Sequence, residues 1–197
     1  MRVIAGEHKG RRLAAVPGKG TRPTTDKVKE SIFNMIGPYF EGGWALDLYA
    51  GTGSLGIEAL SRGAERAVFV ERDAKAFAVV QQNVAACRLE NCAELYRIDA
   101  SRALNSLAKR NVRFDLVFLD PPYAHQKIVQ EISAMQELDL LADDAWIVAE
   151  HDVEVTLPDT IGKCRMYRAA TYGDTAVTLY TYEDSAETEN PAELSQG

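Results

Sequence analysis

Sulfur chemistry is scarce in this sequence. The three cysteines, Cys87, Cys92 and Cys164, are odd in number and form no Cys-x-x-Cys pair. That excludes a disulfide framework and a zinc ribbon and fits reduced thiols. The three histidines, His8, His125 and His151, share no metal-ligand spacing, so no metal site is expected. No run of about 18 uninterrupted apolar residues occurs, and the first ten residues carry charges where a secretory leader needs an apolar stretch. Neither a membrane span nor a leader is expected, and a cytoplasmic location is. A basic excess is missing too. With 22 Lys and Arg against 29 Asp and Glu the net charge is −7, which at first sight argues against a polyanionic partner.

What is present is enough for one compact α/β domain with a modest extension: 197 residues, 46% of them hydrophobic. The charge is unevenly spread. Residues 1–30 hold eight basic side chains against three acidic ones, a local charge of +5, which leaves −12 on the other 167. Arg2, Lys9, Arg11, Arg12, Lys19 and Arg22 of this segment are candidates for contacting the phosphates of a nucleic acid. Residues 183–197 supply five carboxylates, no base and no hydrophobic period, so this tail is expected to be disordered.

The order of elements follows from turn residues and periodicity. Residues 2–5 and 12–16 are β-prone runs around a basic turn, which predicts a small N-terminal hairpin. A loop from Pro17 to Pro23 leads to Thr24 or Thr25 as the N-cap of a helix carrying Val28, Ile32, Met35 and Ile36, ended by Gly37 and Pro38. From Trp44 onward short apolar runs alternate with helical segments, the pattern of a parallel sheet covered on both faces. Strands are predicted at 45–49, 66–71, 94–98, 114–120 and 145–150, and helices at about 54–62, 73–86, 101–110 and 126–138. Two further strands, 164–171 and 175–182, flank Tyr172-Gly173-Asp174 as a closing antiparallel hairpin. The expectation is a seven-stranded Rossmann-like α/β fold, organised as a basic hairpin and helix (1–40), an α/β domain (41–182) and the acidic tail (183–197).

The first strand runs into Asp47-Leu48-Tyr49-Ala50-Gly51-Thr52-Gly53-Ser54-Leu55-Gly56. Glycines at that spacing let the backbone turn sharply and approach a ligand at the carboxyl edge of the sheet. Glu71 ends the second strand 20 residues beyond Gly51, where an acidic side chain can take hydrogen bonds from ribose hydroxyls. A nicotinamide enzyme and an S-adenosylmethionine enzyme both show such a loop and such an acid. Asp47 separates them, because a carboxylate at the strand end is unfavourable beside a pyrophosphate and favourable beside an ammonium and a sulfonium. Asp99 and Ala100, after the third strand, are placed for an adenine ring.

The fourth strand runs into Asp120-Pro121-Pro122-Tyr123. Two prolines make this loop stiff and rich in acceptors without donors. An amine on an aromatic base is a poor nucleophile, and the Asp120 carboxylate with the Pro121 carbonyl can hold its two N–H bonds and aim its lone pair. Tyr123 offers a flat face for a base. No cysteine stands in this loop, so C5-pyrimidine methylation, which needs that nucleophile, is excluded.

These ordered motifs resemble the class I S-adenosylmethionine-dependent methyltransferases that modify exocyclic amines. Arg2-Val3-Ile4-Ala5-Gly6 with Gly10-Arg11, Arg22-Pro23-Thr24, Glu30-Ser31-Ile32-Phe33-Asn34 and Glu58-Ala59-Leu60-Ser61-Arg62-Gly63 resemble one family in particular, the bacterial 16S ribosomal RNA guanine-N2 methyltransferases (RsmD). The likeness runs from Arg2 to about Tyr182. It implies an enzyme that methylates a guanine N2 in the 16S rRNA of an assembled or partly assembled small ribosomal subunit, with residues 41–182 as the class I methyltransferase domain and the basic residues of 1–40 facing the RNA; a monomer is expected. It also implies cofactor contacts from Asp47, Gly51, Gly53, Leu55, Glu71, Asp99 and Ala100, and a catalytic loop of Asp120, Pro121, Pro122 and Tyr123. Many relatives carry Asn where this chain has Asp120, and Asp-Pro-Pro-Tyr also occurs in DNA adenine methyltransferases. Adenine N6 is therefore the alternative target. An NAD-linked oxidoreductase and a ribosome-assembly factor that binds the cofactor only structurally are the remaining alternatives.

Overall fold

A computed structural model describes residues 1–18, 24–122 and 125–184, and of His125 and Gln126 the backbone alone. Lys19, Arg22, Tyr123 and the tail beyond Asp184, all singled out above, lie outside the described residues.

The first helix, α1 (Asp26–Ile36), begins at Thr25, whose hydroxyl accepts the Val28 N–H, and Asp26 complements the positive end of the helix dipole. Then come β1 (Trp44–Asp47), α2 (Ser54–Ser61), β2 (Arg66–Val70), α3 (Ala74–Ala86), β3 (Ala93–Tyr96), α4 (Ala100–Ala108), β4 (Phe114–Leu119) and α5 (His125–Glu137). The chain closes with β5 (Leu141–Asp152), β6 (Thr160–Ile161), β7 (Cys164–Tyr172) and β8 (Thr175–Tyr182). They form one sheet in the order β3-β2-β1-β4-β5-β8-β7-β6. The first five are parallel, and β8, β7 and β6 add on antiparallel.

Strict alternation along the strands divides the core in two. Ala67, Phe69, Leu116, Phe118 and Val148 face one side, with α1, α2 and α3. Val68, Val70, Val117, Leu119, Ile147 and Ala149 face the other, with α4 and α5. Both faces are covered, which is why these strands read as continuous apolar runs.

Three local features differ from the sequence expectation. The sheet has eight strands because Thr160–Ile161 adds a two-residue edge, too short to show a period. β5 starts four residues earlier than expected, at Leu141, and its pairing with β4 shifts register between Phe114 and Leu116. Asp144, with φ +62°, sits in that irregularity, and the polar pair Asp143-Asp144 hid the strand. The N-terminal hairpin narrows to a single bridge, Arg2 with Arg12, held by Val3 N–H to Arg11 O and Leu13 N–H to Met1 O.

The reason for the last difference is that this segment bonds to the helices beside it. Val3 is fully buried in the α1–α3 core. Ile4 N–H donates to Glu58 Oε1 at 2.8 Å, His8 N–H to Ser61 Oγ at 3.0 Å and Ala14 N–H to Asn83 Oδ1 at 2.8 Å. Beneath lies a charged cluster shut off from water. Glu58, on α2, has Lys29 Nζ at 3.8 Å and Arg62 Nε at 3.7 Å, with all three side chains at most 2% exposed. Lys29 Nζ also donates to Arg2 O at 2.6 Å, and the Arg62 guanidinium lies 4.9 Å from the Phe33 ring centroid.

Candidate functional site

The strand order reverses between β1 and β4, the switch point where open α/β sheets bind ligands. A cleft of about 1670 Å³ opens there, at the carboxyl ends of the parallel strands. Asp47, Gly51, Leu55, Glu71, Asp99, Ala100, Asp120, Pro121 and Pro122 all line it. Gly53 does not. It takes φ +80° as the N-cap of α2, and a Cβ there would meet Val80 Cγ1 at 3.2 Å, so its lack of a side chain serves helix packing. Gly56 is tighter still, with a built Cβ only 2.3 Å from the Phe69 ring. Gly51, at φ +58°, has open space where a side chain would be, which leaves its backbone free to meet a ligand.

The acids around the loop have defined partners. Asp47, 3% exposed, accepts the Gly56 N–H at 3.1 Å. Burial pushes its carboxyl up to about 8 against that hydrogen bond, and the neighbouring Glu71 and Glu150 charges push the same way. Glu71 accepts the Gly51 N–H through Oε1 and the Asp73 N–H through Oε2, both at 2.9 Å, so it ties the glycine turn to the end of β2. Asp99 caps α4 by accepting the Arg102 N–H at 3.0 Å. It is a cap residue as well as part of the cleft wall.

Asp120 follows β4 directly and stays open to the cleft, while protein surrounds it on most sides. Burial first, then the charges of Glu150 on β5 and of Asp47, holds its carboxyl well above the ordinary carboxylate range. Glu150, 5% exposed, accepts the Thr24 hydroxyl at 2.7 Å and is raised by burial.

Sequence reasoning missed Glu150. A carboxylate closing the apolar run Trp146-Ile147-Val148-Ala149 was the available signal, since a charge at the end of a buried strand needs a reason. Tyr49 and Glu131 were missed as well. The Tyr49 hydroxyl donates to Glu131 Oε1 across the cleft wall, and burial raises both groups. They are far apart in sequence, and nothing local announces the pair.

Of the candidate phosphate-contacting side chains, the described ones, Arg2, Lys9, Arg11 and Arg12, are not part of this cleft. Lys9, Arg11 and Arg12 are exposed on the N-terminal segment, where Arg11 donates to Ala86 O at 3.2 Å. Arg2 pairs with Asp26 at 3.8 Å in an exposed contact. The N-terminal segment still reaches the cleft, because Ala15, Val16 and Thr24 form part of its wall.

A parallel sheet with this switch point, helices on both faces and an antiparallel closing hairpin is the class I methyltransferase fold. The solved structure titled "Putative methyltransferase yhhF from Escherichia coli" matches it with a TM-score of 0.80 at 33% identity, covering 93% of this chain and 98% of that one. The chain belongs to the family described as "Conserved hypothetical protein 95", which matches residues 1–181. It is 57% identical over 180 residues to "Putative rRNA methyltransferase YlbH" of Bacillus subtilis, across 91% of this chain and 98% of the relative. It is 34% identical over 189 residues to "Ribosomal RNA small subunit methyltransferase D" of Escherichia coli K12, across 96% and 93%.

Proposed function

We propose that the protein is an S-adenosylmethionine-dependent methyltransferase that modifies the N2 amine of a guanine in 16S rRNA, in the cytoplasm. The observation that carries this reading is the chemistry of the cleft. Its walls hold the carboxyls of Asp47, Glu71, Asp99, Asp120 and Glu150, an acceptor set that is unfavourable beside a pyrophosphate and suits an ammonium and a sulfonium, whose positive charge draws the raised carboxyls toward their ionised form. The same argument disfavours a nicotinamide dinucleotide. The open space over Gly51 and the acids on either side fit S-adenosylmethionine. Asp47, Gly51, Leu55, Glu71, Asp99 and Ala100 would hold it. When bound, it supplies an electrophilic methyl group.

The chain's own contribution is positioning and charge. Asp120 and the Pro121 carbonyl accept the two N–H bonds of the base amine and aim its lone pair into the cleft. Pro121 and Pro122 fix this loop, so the acceptors need not reorganise as charge develops. Tyr123 supplies the stacking face. Basic side chains of the N-terminal segment meet the RNA backbone, with Arg2, Lys9, Arg11, Arg12, Lys19 and Arg22 as contacts. The names of the relatives support an rRNA substrate. With the N-terminal segment so small, much of the specificity comes from RNA shape.

Nucleoside mass spectrometry of 16S rRNA from cells with and without the protein tests the substrate: loss of N2-methylguanosine is expected, and an unchanged level refutes it. Calorimetric titration with S-adenosylhomocysteine and with NAD tests the cofactor, with binding expected only for the first.

A further inference from the structure

We propose that the groove between α1 and β7, with Arg165 and Tyr167 at its far end, is a second RNA-docking surface. It holds single-stranded RNA beside the target nucleotide, with Lys27, Arg165 and Arg168 on the phosphates and Tyr167 stacked on a base. This rests on the rRNA reading above, and the closing experiment separates the two.

The surface is built by the closing hairpin. Arg168 and Ala170 on β7 pair with Leu179 and Val177 on β8, whose side chains belong to the α1 side of the core. Residues directly opposite one another in an antiparallel pair share a face, so Arg168 and Ala170 look toward α1. Arg165 does too, because its partner Thr181 also pairs with Trp146, which packs on that same side. Between Met166 and Arg168 the register shifts. An extra residue at such a point re-aims side chains, and Tyr167 turns to the face that Arg168 occupies. There its ring meets Trp146 edge-on, with centroids 5.0 Å and planes 84° apart. Trp146 fixes the tilt of this ring, yet Tyr167 remains 61% exposed.

A groove of about 480 Å³, lined by Lys27, Glu30, Asn34, Arg168 and Tyr172, continues from there along α1. A hydrogen bond between the Ser31 and Tyr172 hydroxyls joins its two walls. It ends beside the cleft, since Tyr172 pairs with Thr175, and Thr175 and Thr24, three residues before Lys27, both line that cleft.

The charge here points to a polyanion, although the whole chain carries −7. Lys27, Arg165 and Arg168 are exposed, and among the described residues none of the three is held in an ion pair. Glu30 is the acid between them. Arg110 and Arg113, elsewhere on the surface, are paired with Glu94 and Asp139. Unpaired cations around an exposed, fixed aromatic ring suit a single strand, whose phosphates need neutralising and whose every base has a face to stack. At about 3.3 Å per residue, Tyr167 lies roughly 15 Å from the cleft end of β7, so it meets a neighbour of the target base. Arg2, paired with Asp26 next to Lys27, brings the basic N-terminal segment alongside, and the two surfaces flank one RNA loop.

Small ribosomal subunits from cells lacking the protein serve as the probe, in binding titrations at several salt concentrations and in methylation kinetics. Tyr167→Ala should weaken binding about fivefold or more. Lys27→Gln and Arg168→Gln should each lower the slope of log affinity against log salt by about 0.7, one phosphate's worth for a single strand. All three should raise KM while kcat and S-adenosylhomocysteine affinity stay near the parent values. Lys109→Gln, after α4 on the opposite face, should leave binding and slope unchanged. Ultraviolet crosslinking of the unaltered protein should join the 165–168 peptide to a nucleotide. Parent-like affinity and slope in the three variants, or crosslinks from this peptide to ribosomal protein alone, overturn the proposal. Subunits bound through this surface but not methylated by the parent protein would instead refute the proposed function and leave the docking surface standing.

Discussion

Replacing Glu58 by glutamine removes one negative charge from a site where two positive charges depend on it. Lys29 and Arg62 lie 3.8 and 3.7 Å from its carboxylate with side chains at most 2% exposed. Glutamine keeps the shape and can still accept the Ile4 N–H, so the substitution isolates the charge. Breaking a buried ion pair by removing one partner costs about 3–5 kcal/mol, because the other charge stays buried without compensation. In a domain of this size each kcal/mol lowers Tm by roughly 2–4 °C, so a fall of about 6–20 °C is expected by calorimetry. The loss should shrink at high pH. Burial already holds the Lys29 pKa below its usual value, opposed chiefly by the Glu58 charge. Without Glu58 the amine gives up its proton more readily, and stability rises with pH wherever the unfolded chain binds more protons than the folded one. Adding Lys29→Met should restore part of the loss in a double-mutant cycle. A Tm change under about 2 °C for Glu58→Gln would refute the reasoning, since it would mean that Lys29 and Arg62 find water or other partners at little cost.

The other predictions concern the cleft. Asp120→Ala should lower methyl transfer by at least about tenfold, the scale of a lost hydrogen bond to a developing charge, while leaving S-adenosylhomocysteine affinity nearly unchanged; full activity would exclude Asp120 as the amine acceptor. Gly56→Ala drives a methyl to within 2.3 Å of the Phe69 ring, and overpacking of this kind costs about 1–3 kcal/mol by denaturant unfolding; a neutral result would mean that α2 can slide on β2. Asp47 has a folded pKa of about 8 against 3.8 in the open chain, so its contribution is fully present below pH 4 and is lost as the pH rises toward 8. Asp47→Asn should therefore match the parent near pH 4 and be the more stable of the two at pH 8 without cofactor, which melting curves across that range will check.

The residues of the cleft that belong to local motifs were legible in the chain itself. Gly51 announces a backbone that approaches a ligand, because its spacing from Glu71 follows from one strand, one turn and one helix. Asp120-Pro121-Pro122 announces a rigid acceptor loop for the same local reason. Period and composition also placed the alternating strands and helices, since burial on both faces leaves apolar runs that only turn residues interrupt. Gly53 was legible as a glycine but not as a packing glycine, because Val80, the neighbour that forbids a side chain, comes from α3.

The −7 charge, read by position, already separated a basic N-terminus from an acidic remainder. What tertiary structure alone decided is where those acids meet. Parallel pairing of β4 with β5 put Glu150 against Asp120 across 30 residues, and docking of the N-terminal segment brought Thr24 onto Glu150 across 126. It also sank Lys29, one of the eight basic residues of that segment, beneath Glu58 and away from water. Sequence determines which side chains carry charge and which local turns they occupy; whether a charge is solvated, paired or buried among like charges depends on neighbours that only the folded chain supplies.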